Sequence, residues 1–465
     1  MLFSSATFIC YFLPFLFACY FSVPQKYKNS VLLVFSILFY SWGNLDYTLI
    51  IFADIVNIYL GGLLISKLKS HTQKKFVLML CVWFLLFVLL CYKYLNFFSL
   101  LMEKYFSIKL YAIDMLPIGI SFYTFQAISY LADVYKTEVK AQKNIFSLAL
   151  YISFFPQLVA GPIIKYKDIS EQINHRHETA EKFCYGVKRF IVGLAKKVLI
   201  ADVVGMIADR VFAQPITGIE TPIAWLGAVS YALQIYYDFS GYSDMAIGLG
   251  AMFGFKIREN FNYPYISKSI TEFWRRWHIS LGSWFKEYLY IPLGGNRKGL
   301  LKTCLNLFFV FLVTGFWHGA AFNFIVWGIF YGFWIIFEKI TQFHKLEGNI
   351  FLNVLQHIYA LLIIIVGWVL FRADNLGYAA DYIRNMFGLI HEHQIVFQRH
   401  YFINRFEMLI MGIAALGVMP VFSNMLNVRR KYWMCLNNIW LLLIFVLSVF
   451  SIIASTYHPF IYFRF

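Results

Sequence analysis

Two histidines stand in contexts suited to acid–base chemistry. His318 lies in Thr314-Gly-Phe-Trp-His-Gly-Ala-Ala321, midway through Thr303–Phe337, a run with no formal charge. His278 lies in Glu272-Phe-Trp-Arg-Arg-Trp-His-Ile-Ser-Leu-Gly-Ser-Trp284. A neutral imidazole has one donor and one acceptor nitrogen. Its ordinary pKa of about 6.5 suits it to taking a proton from a hydroxyl. Apolar surroundings keep the ring neutral, the form a base needs, and an ionisable group deep in a membrane usually faces a pathway. Gly315, Gly319, Ala320 and Ala321 are small enough for a neighbouring helix or a substrate to approach closely. The plain alternative for His318 is a buried ring bonded to a helix carbonyl, and for His278 an ordinary histidine at a membrane interface.

Other polar residues sit in apolar surroundings. Asp238, Ser240, Tyr242, Ser243 and Asp244 cluster in Tyr237-Asp-Phe-Ser-Gly-Tyr-Ser-Asp244, where Gly241 suggests a bend in a helix with a polar face. One reading is a wall that binds an acceptor or orients a histidine. The other is an ion pair with Arg275 or Arg276 that holds a helix down. Arg275, Arg276 and Lys286 are suited to attract phosphates if they face the cytoplasm. Asp54 and Asn57, one turn apart, are expected to hydrogen-bond internally, and Arg372 to snorkel toward headgroups. No phosphate-binding GxxxxGK[ST] loop, HExxH or GxSxG motif is present, which leaves ATP-driven pumping and zinc or serine hydrolysis without support.

The elements that must carry these residues are membrane helices. Of 465 residues, 60% are hydrophobic and only 14% charged, against roughly a quarter charged in soluble domains. Met1–Val23, Phe76–Tyr92, Asn144–Ile164, Thr221–Tyr237, Phe351–Phe371, Met408–Val428 and Trp433–His458 carry no formal charge. A span needs about 20 apolar residues, and in lipid such a run must satisfy its own backbone as a helix. With Ser30–Leu64, Ile113–Leu131 and Val187–Phe212 as weaker candidates, about ten to twelve spans are expected.

The net charge of +16 comes from short clusters between apolar runs, such as Lys67–Lys75 and Arg429–Lys431. That pattern fits cytoplasmic loops rather than nucleic-acid binding. The seven cysteines include no CxxC pair, so neither a metal site nor a disulfide framework is expected. The first apolar run lacks a basic leader and a small-residue cleavage site and reads as a retained span. Pro156 and Pro162 mark Gln157–Pro162, and Pro117 marks Met115–Gly119, as kinks or re-entrant turns. The chain reads as a single membrane domain over 1–465 without internal repeats. Its central region, about 231–334, mixes apolar runs with dense polar and aromatic residues. Within it, Ser267–Arg297 is too polar to cross lipid and suits an interfacial helix.

Arg275-Arg-Trp-His-Ile-Ser-Leu-Gly-Ser-Trp284, Tyr290-Ile-Pro-Leu-Gly-Gly-Asn296 and Phe316-Trp-His-Gly319 together resemble the central signature of bacterial membrane-bound O-acyltransferases (MBOAT). The similarity is to the alginate and peptidoglycan O-acetyltransferase sub-group, with teichoic-acid D-alanyl transfer proteins more distant. Further matching blocks run from Met1-Leu-Phe-Ser-Ser5 through Leu116–Gln126, Phe155–Ile163, Tyr237–Asp244 and Phe371-Arg-Ala373 to Phe460-Ile-Tyr-Phe-Arg-Phe465.

The resemblance implies an all-α polytopic fold: a ring of about ten to twelve membrane helices plus interfacial and re-entrant helices around a central funnel. It implies His318 as catalytic base and His278 as a second residue needed for activity. Asp238, Ser240, Tyr242, Asp244, Arg275, Arg276, Trp317 and Asn296 are the candidate substrate contacts. The implied donor is acetyl-CoA or a similar cytoplasmic thioester, with no permanently bound cofactor or metal. Implied partners are membrane lipid and a periplasmic or extracellular acyltransferase or acceptor protein. The implied location is the bacterial cytoplasmic membrane. An acetylated envelope polysaccharide is the expected product. Composition rich in Lys, Ile, Asn and Phe leans toward peptidoglycan over alginate. D-alanyl transfer to teichoic acid, a transporter or channel using the same histidines, and a non-catalytic scaffold are the alternatives.

Overall fold

A computed structural model describes residues 1–43, 45–108, 116–343, 346, 348–390, 397–422 and 431–454. The Phe460–Phe465 block lies outside these residues, as do Arg429 and Arg430, Met115, and parts of the Ile113–Leu131, Met408–Val428 and Trp433–His458 runs. Of the described residues 79% are helical, and none of them lies in a strand.

Among the described residues, six helices are long and apolar enough to cross a membrane: Asp46–Lys67, His71–Phe106, Gly299–His318, Phe322–Thr341, Ile350–Arg372 and Leu436–Ala454. The chain is a multi-pass membrane protein. Only 17% of the apolar window of His71–Phe106 is buried, and Leu80, Trp83 and Phe87 stand exposed along it. Such a surface is stable only against lipid or another apolar partner.

Where an expected span differs, the backbone gives the reason. The Thr303–Phe337 run folds as two helices, and the turn between them falls immediately after His318. Asn144–Ile164 does not cross in one piece. Its helix Ile145–Ser153 stops at Phe154, and one turn, Phe155–Leu158, follows with Pro156 near its start. Proline lacks the N–H that would continue the ladder. The expected turn at Gln157–Pro162 is seen as bends at residues 159–161, after the short helix ends at Leu158.

The chain folds into two compact units, residues 1–190 with 242–259 and residues 191–241 with 260–465. The first unit packs Phe3, Phe8, Phe12, Phe39 and Phe155 ring against ring. It also buries Arg176, which donates to the Phe253 carbonyl at 3.0 Å, Tyr20 Oη at 3.1 Å and Asn29 Oδ1 at 2.6 Å. A buried guanidinium is tolerable because its donors meet acceptors.

The core of the second unit is aromatic, built from Tyr236, Phe239, Tyr265, Phe273, Trp277, Phe324, Trp327, Tyr331, Trp368 and Phe371. Ser267–Arg297 enters that core. It is broken into Ile270–Arg276, Ile279–Phe285 and a π turn Lys286–Tyr290. Phe273, Trp277, Trp284 and Phe285 are buried in protein. The expected single helix is thus three short pieces, and Phe273 and Trp277 pack on each other and on Trp368.

Candidate active site

His318 is the last residue of Gly299–His318. Gly315 on that helix and Gly328 on Phe322–Thr341 bring the two backbones together. A Cβ on Gly328 would lie 2.5 Å from the Phe311 carbonyl oxygen, and one on Gly315 would strike the Phe324 carbonyl and the α-carbon of Gly328. This close approach sets Trp327 beside the end of the first helix. The His318 ring meets Trp317 at 4.9 Å, Trp327 at 5.0 Å and Phe371 at 5.2 Å between centroids, all edge-on. Phe371 comes from Ile350–Arg372, so three membrane helices fix one imidazole, which is 6% exposed.

His278 sits in the break between the two short helices, with φ 45° and ψ 53°. That left-handed conformation costs a non-glycine residue on the order of 1–3 kcal/mol and tends to occur at functional sites. The ring is buried, lies edge-on to Phe239 at 4.7 Å, and has Nδ1 3.2 Å from Asn260 Oδ1. Both histidines border one aromatic core. Phe239 stacks edge-on with Phe261, Phe261 with Trp277, Trp277 packs on Trp368, and Trp368 on Phe371.

Burial pushes the His278 imidazole down to about 3, so the ring is neutral near pH 7. His278 lies outside the six apolar spans. An unfolded histidine titrates at about 6.5. Between these values the unfolded chain binds a proton that the native chain does not. Stability from this site is therefore intact above about pH 6.5 and falls with pH below it, by up to ~1.4 kcal/mol per unit. In detergent, the melting temperature of the native protein minus that of His278→Gln is expected to shrink from pH 7.5 to 5. Parallel curves would contradict a neutral buried ring.

The polar cluster is placed differently from expectation. Helix Thr221–Met252 runs unbroken through Gly241, whose missing side chain instead admits the Gly193 carbonyl and Lys196. Asp238 does not meet Arg275 or Arg276. It pairs with Lys197 at 2.8 Å, and Lys197 also holds Asp202 at 2.7 Å, all three buried. Asp244 belongs to the other unit, where Arg189 reaches it at 2.6 Å and Glu259 at 2.5 Å. Tyr242 stacks on Phe3 at 4.7 Å, and Ser240 is buried on the helix.

Arg276 pairs with Glu272 at 2.8 Å, Arg275 and Lys286 are exposed, and Tyr290 donates to the exposed Asn296. Arg372, expected to reach toward headgroups, has a protein partner. It binds Asp209 at 2.7 Å with its guanidinium over Phe212. Asn57 bonds internally to the Cys81 carbonyl at 3.1 Å, whereas the buried Asp54 carboxylate has no protein hydrogen bond among the described residues. Of the candidate substrate contacts, Trp317 touches His318 directly and Asp238 adjoins Phe239, the ring against His278.

Four residues of the second unit escaped the sequence reading. Lys197 was detectable as a charge inside the apolar Val187–Phe212 stretch. Glu338, on Phe322–Thr341, accepts from the backbone N–H groups of Ile270 at 2.6 Å and Thr271 at 2.9 Å, fixing the start of the helix that leads to His278. Asn260 and Ser280 had no signal of their own, because their role is a contact formed only on folding.

The arrangement provides two histidines held by aromatic packing, suited to moving a proton away from bulk water. A family model described as MBOAT, the membrane-bound O-acyltransferase family, matches residues 39–371. The chain is 39% identical to the probable alginate O-acetylase AlgI of Pseudomonas putida over all of both chains. It is 37% identical to the peptidoglycan O-acetyltransferase of Helicobacter pylori, over 84% of this chain and 80% of the relative. It is 28% identical to the teichoic acid D-alanyltransferase of Bacillus subtilis, over 55% of this chain and 68% of that one. With more than half the chain matched and a full-length relative above 30% identity, this protein belongs to the membrane-bound O-acyltransferase family and is an acyltransferase.

Proposed function

We propose that the protein O-acetylates a cell-envelope polysaccharide from the bacterial cytoplasmic membrane, using acetyl-CoA or a similar thioester as donor. The observation that carries this reading is His318 buried at the end of a membrane helix against Trp317, Trp327 and Phe371, in a chain similar to a probable alginate O-acetylase and a peptidoglycan O-acetyltransferase. His318 takes the proton of an incoming hydroxyl as its oxygen attacks the thioester carbonyl. The tetrahedral intermediate collapses, the C–S bond breaks, and the imidazolium returns the proton to the departing thiolate. Holding both reactants at one point supplies several kcal/mol, and base catalysis adds about 10²–10⁴-fold. The hydroxyl belongs to the polysaccharide or to a periplasmic partner that passes the acetyl group on. The family match extends over residues of both compact units, which supports reading the chain as one catalytic membrane domain.

Acetyl-labelled acetyl-CoA supplied to one face of proteoliposomes, with an alginate or peptidoglycan fragment and its partner acyltransferase on the other, tests the reading. Ester-linked label on the polysaccharide is expected, and the fragment that takes it identifies the acceptor. Hydrolysis of acetyl-CoA to free acetate with neither polymer labelled would refute the proposal.

A further inference from the structure

We propose that Asn260 is the positioning residue that fixes His278 in one tautomer, with the proton on Nδ1 and the lone pair on Nε2. Asn260 Oδ1 stands 3.2 Å from His278 Nδ1, 3.2 Å from the backbone nitrogen of Ser280 and 2.9 Å from Ser280 Oγ. All three residues are buried.

The main chain decides which way the amide points. A backbone N–H only donates, so the Asn260 atom facing Ser280 N must be the carbonyl oxygen. An oxygen of that kind has no proton to give. The imidazole nitrogen opposite it therefore carries the hydrogen, since a lone pair there would face another lone pair. The Ser280 hydroxyl lies 3.4 Å from Nδ1, but its single proton goes to Asn260 Oδ1, the nearer acceptor. It thus offers Nδ1–H a second oxygen rather than competing for the nitrogen.

The backbone of the same residue completes the clasp. Asn260 O accepts from Ile279 N–H at 2.9 Å, and Asn262 N–H donates to Arg276 O at 2.9 Å. These bonds grip the chain on both sides of the left-handed His278 turn, 18 residues downstream of Asn260. A strained backbone persists only where its surroundings over-determine it, and here the Asn260 side chain acts together with the backbone of Asn260 and Asn262.

With Nδ1–H engaged and the ring neutral, Nε2 is an acceptor. His278 then accepts a hydrogen bond from a hydroxyl and does not donate one to an oxyanion. This role in acyl transfer rests on the proposed function; the tautomer does not.

The test is ¹⁵N magic-angle-spinning NMR on histidine-labelled protein in lipid, with the His278 signals assigned by subtracting the His278→Gln spectrum. A protonated Nδ1 and unprotonated Nε2 are expected in the native protein. A protonated Nε2 would overturn the proposal without any variant needing to fold. In Asn260→Leu, at matched membrane level, Nε2–H is expected to appear and acetyl transfer to fall about 10²-fold or more. An Nδ1–H tautomer unchanged in Asn260→Leu would also overturn it. Asn260→Asp keeps an acceptor oxygen and is expected to retain the tautomer and activity within about tenfold; a loss equal to that of Asn260→Leu counts against the assignment. If the spectra behave as expected while no acceptor is acetylated, the proposed function fails and the tautomer assignment stands.

Discussion

Replacement of His318 by alanine is expected to lower acetyl transfer by about 10²–10⁴-fold, the range general base catalysis supplies, at an unchanged protein level in the membrane. The fold should tolerate the change. Trp327 and Phe371 pack on each other as well as on His318, and Trp327 also packs on Trp368 and Tyr331. The Gly315–Gly328 approach is made by backbone and does not involve the imidazole. His318→Gln, which keeps polar atoms in a similar volume, should be equally inactive, because an amide cannot accept a proton at neutral pH. The measurement is ester-linked acetate on envelope polysaccharide per unit of membrane protein. Persistence of acetylation near the native level in either variant would remove His318 from the chemistry.

Replacement of Lys197 by methionine should destabilise the protein by about 3–5 kcal/mol, the usual cost of deleting one partner from a buried ion pair. Lys197 stands between Asp202 and Asp238, and the three side chains are 3%, 7% and 1% exposed. Without the ammonium, two carboxylates are left close together in a low-dielectric interior. One of them must then take up a proton, or the helices must part. The consequence reaches the site, because Asp238 is followed by Phe239, whose ring edge meets His278. Lower melting temperature in detergent and reduced yield are expected for Lys197→Met. Asp238→Asn combined with Lys197→Met should recover part of the loss by removing one stranded charge. If Lys197→Met melts with the native protein, the triad is not a buried ionic lock.

These outcomes bear differently on the function. Loss of activity in His318→Ala without loss of protein separates chemistry from folding. Loss of protein in Lys197→Met identifies a residue that acts through structure. The distinction matters in this chain because buried polar groups such as Lys197, Asp202 and Asp238 are committed to one another.

How far the site was legible before folding follows from the range of each signal. Absence of charge over tens of residues is a local property, so the membrane class, most long helices and the doubled run around His318 could be read directly. His318 was conspicuous because an ionisable group in an apolar run costs free energy and calls for a reason. The partners of the charged residues were not legible. Asp238 and Asp244 looked equally suited to Arg275 or Arg276, and the choice of Lys197 and Arg189 depended on which helix faces met. Phe273 and Trp277 had an interfacial composition, yet only tertiary packing determined that their rings stack on each other and on Trp368. The backbone reversal at His278 and its clasp by Asn260 have no periodicity to betray them. Sequence alone therefore determined the solvent this chain lives in and the groups that can carry a proton. Tertiary structure decided which partners hold those groups, because hydrogen bonds and ion pairs form between atoms brought close in space, whatever their distance along the chain.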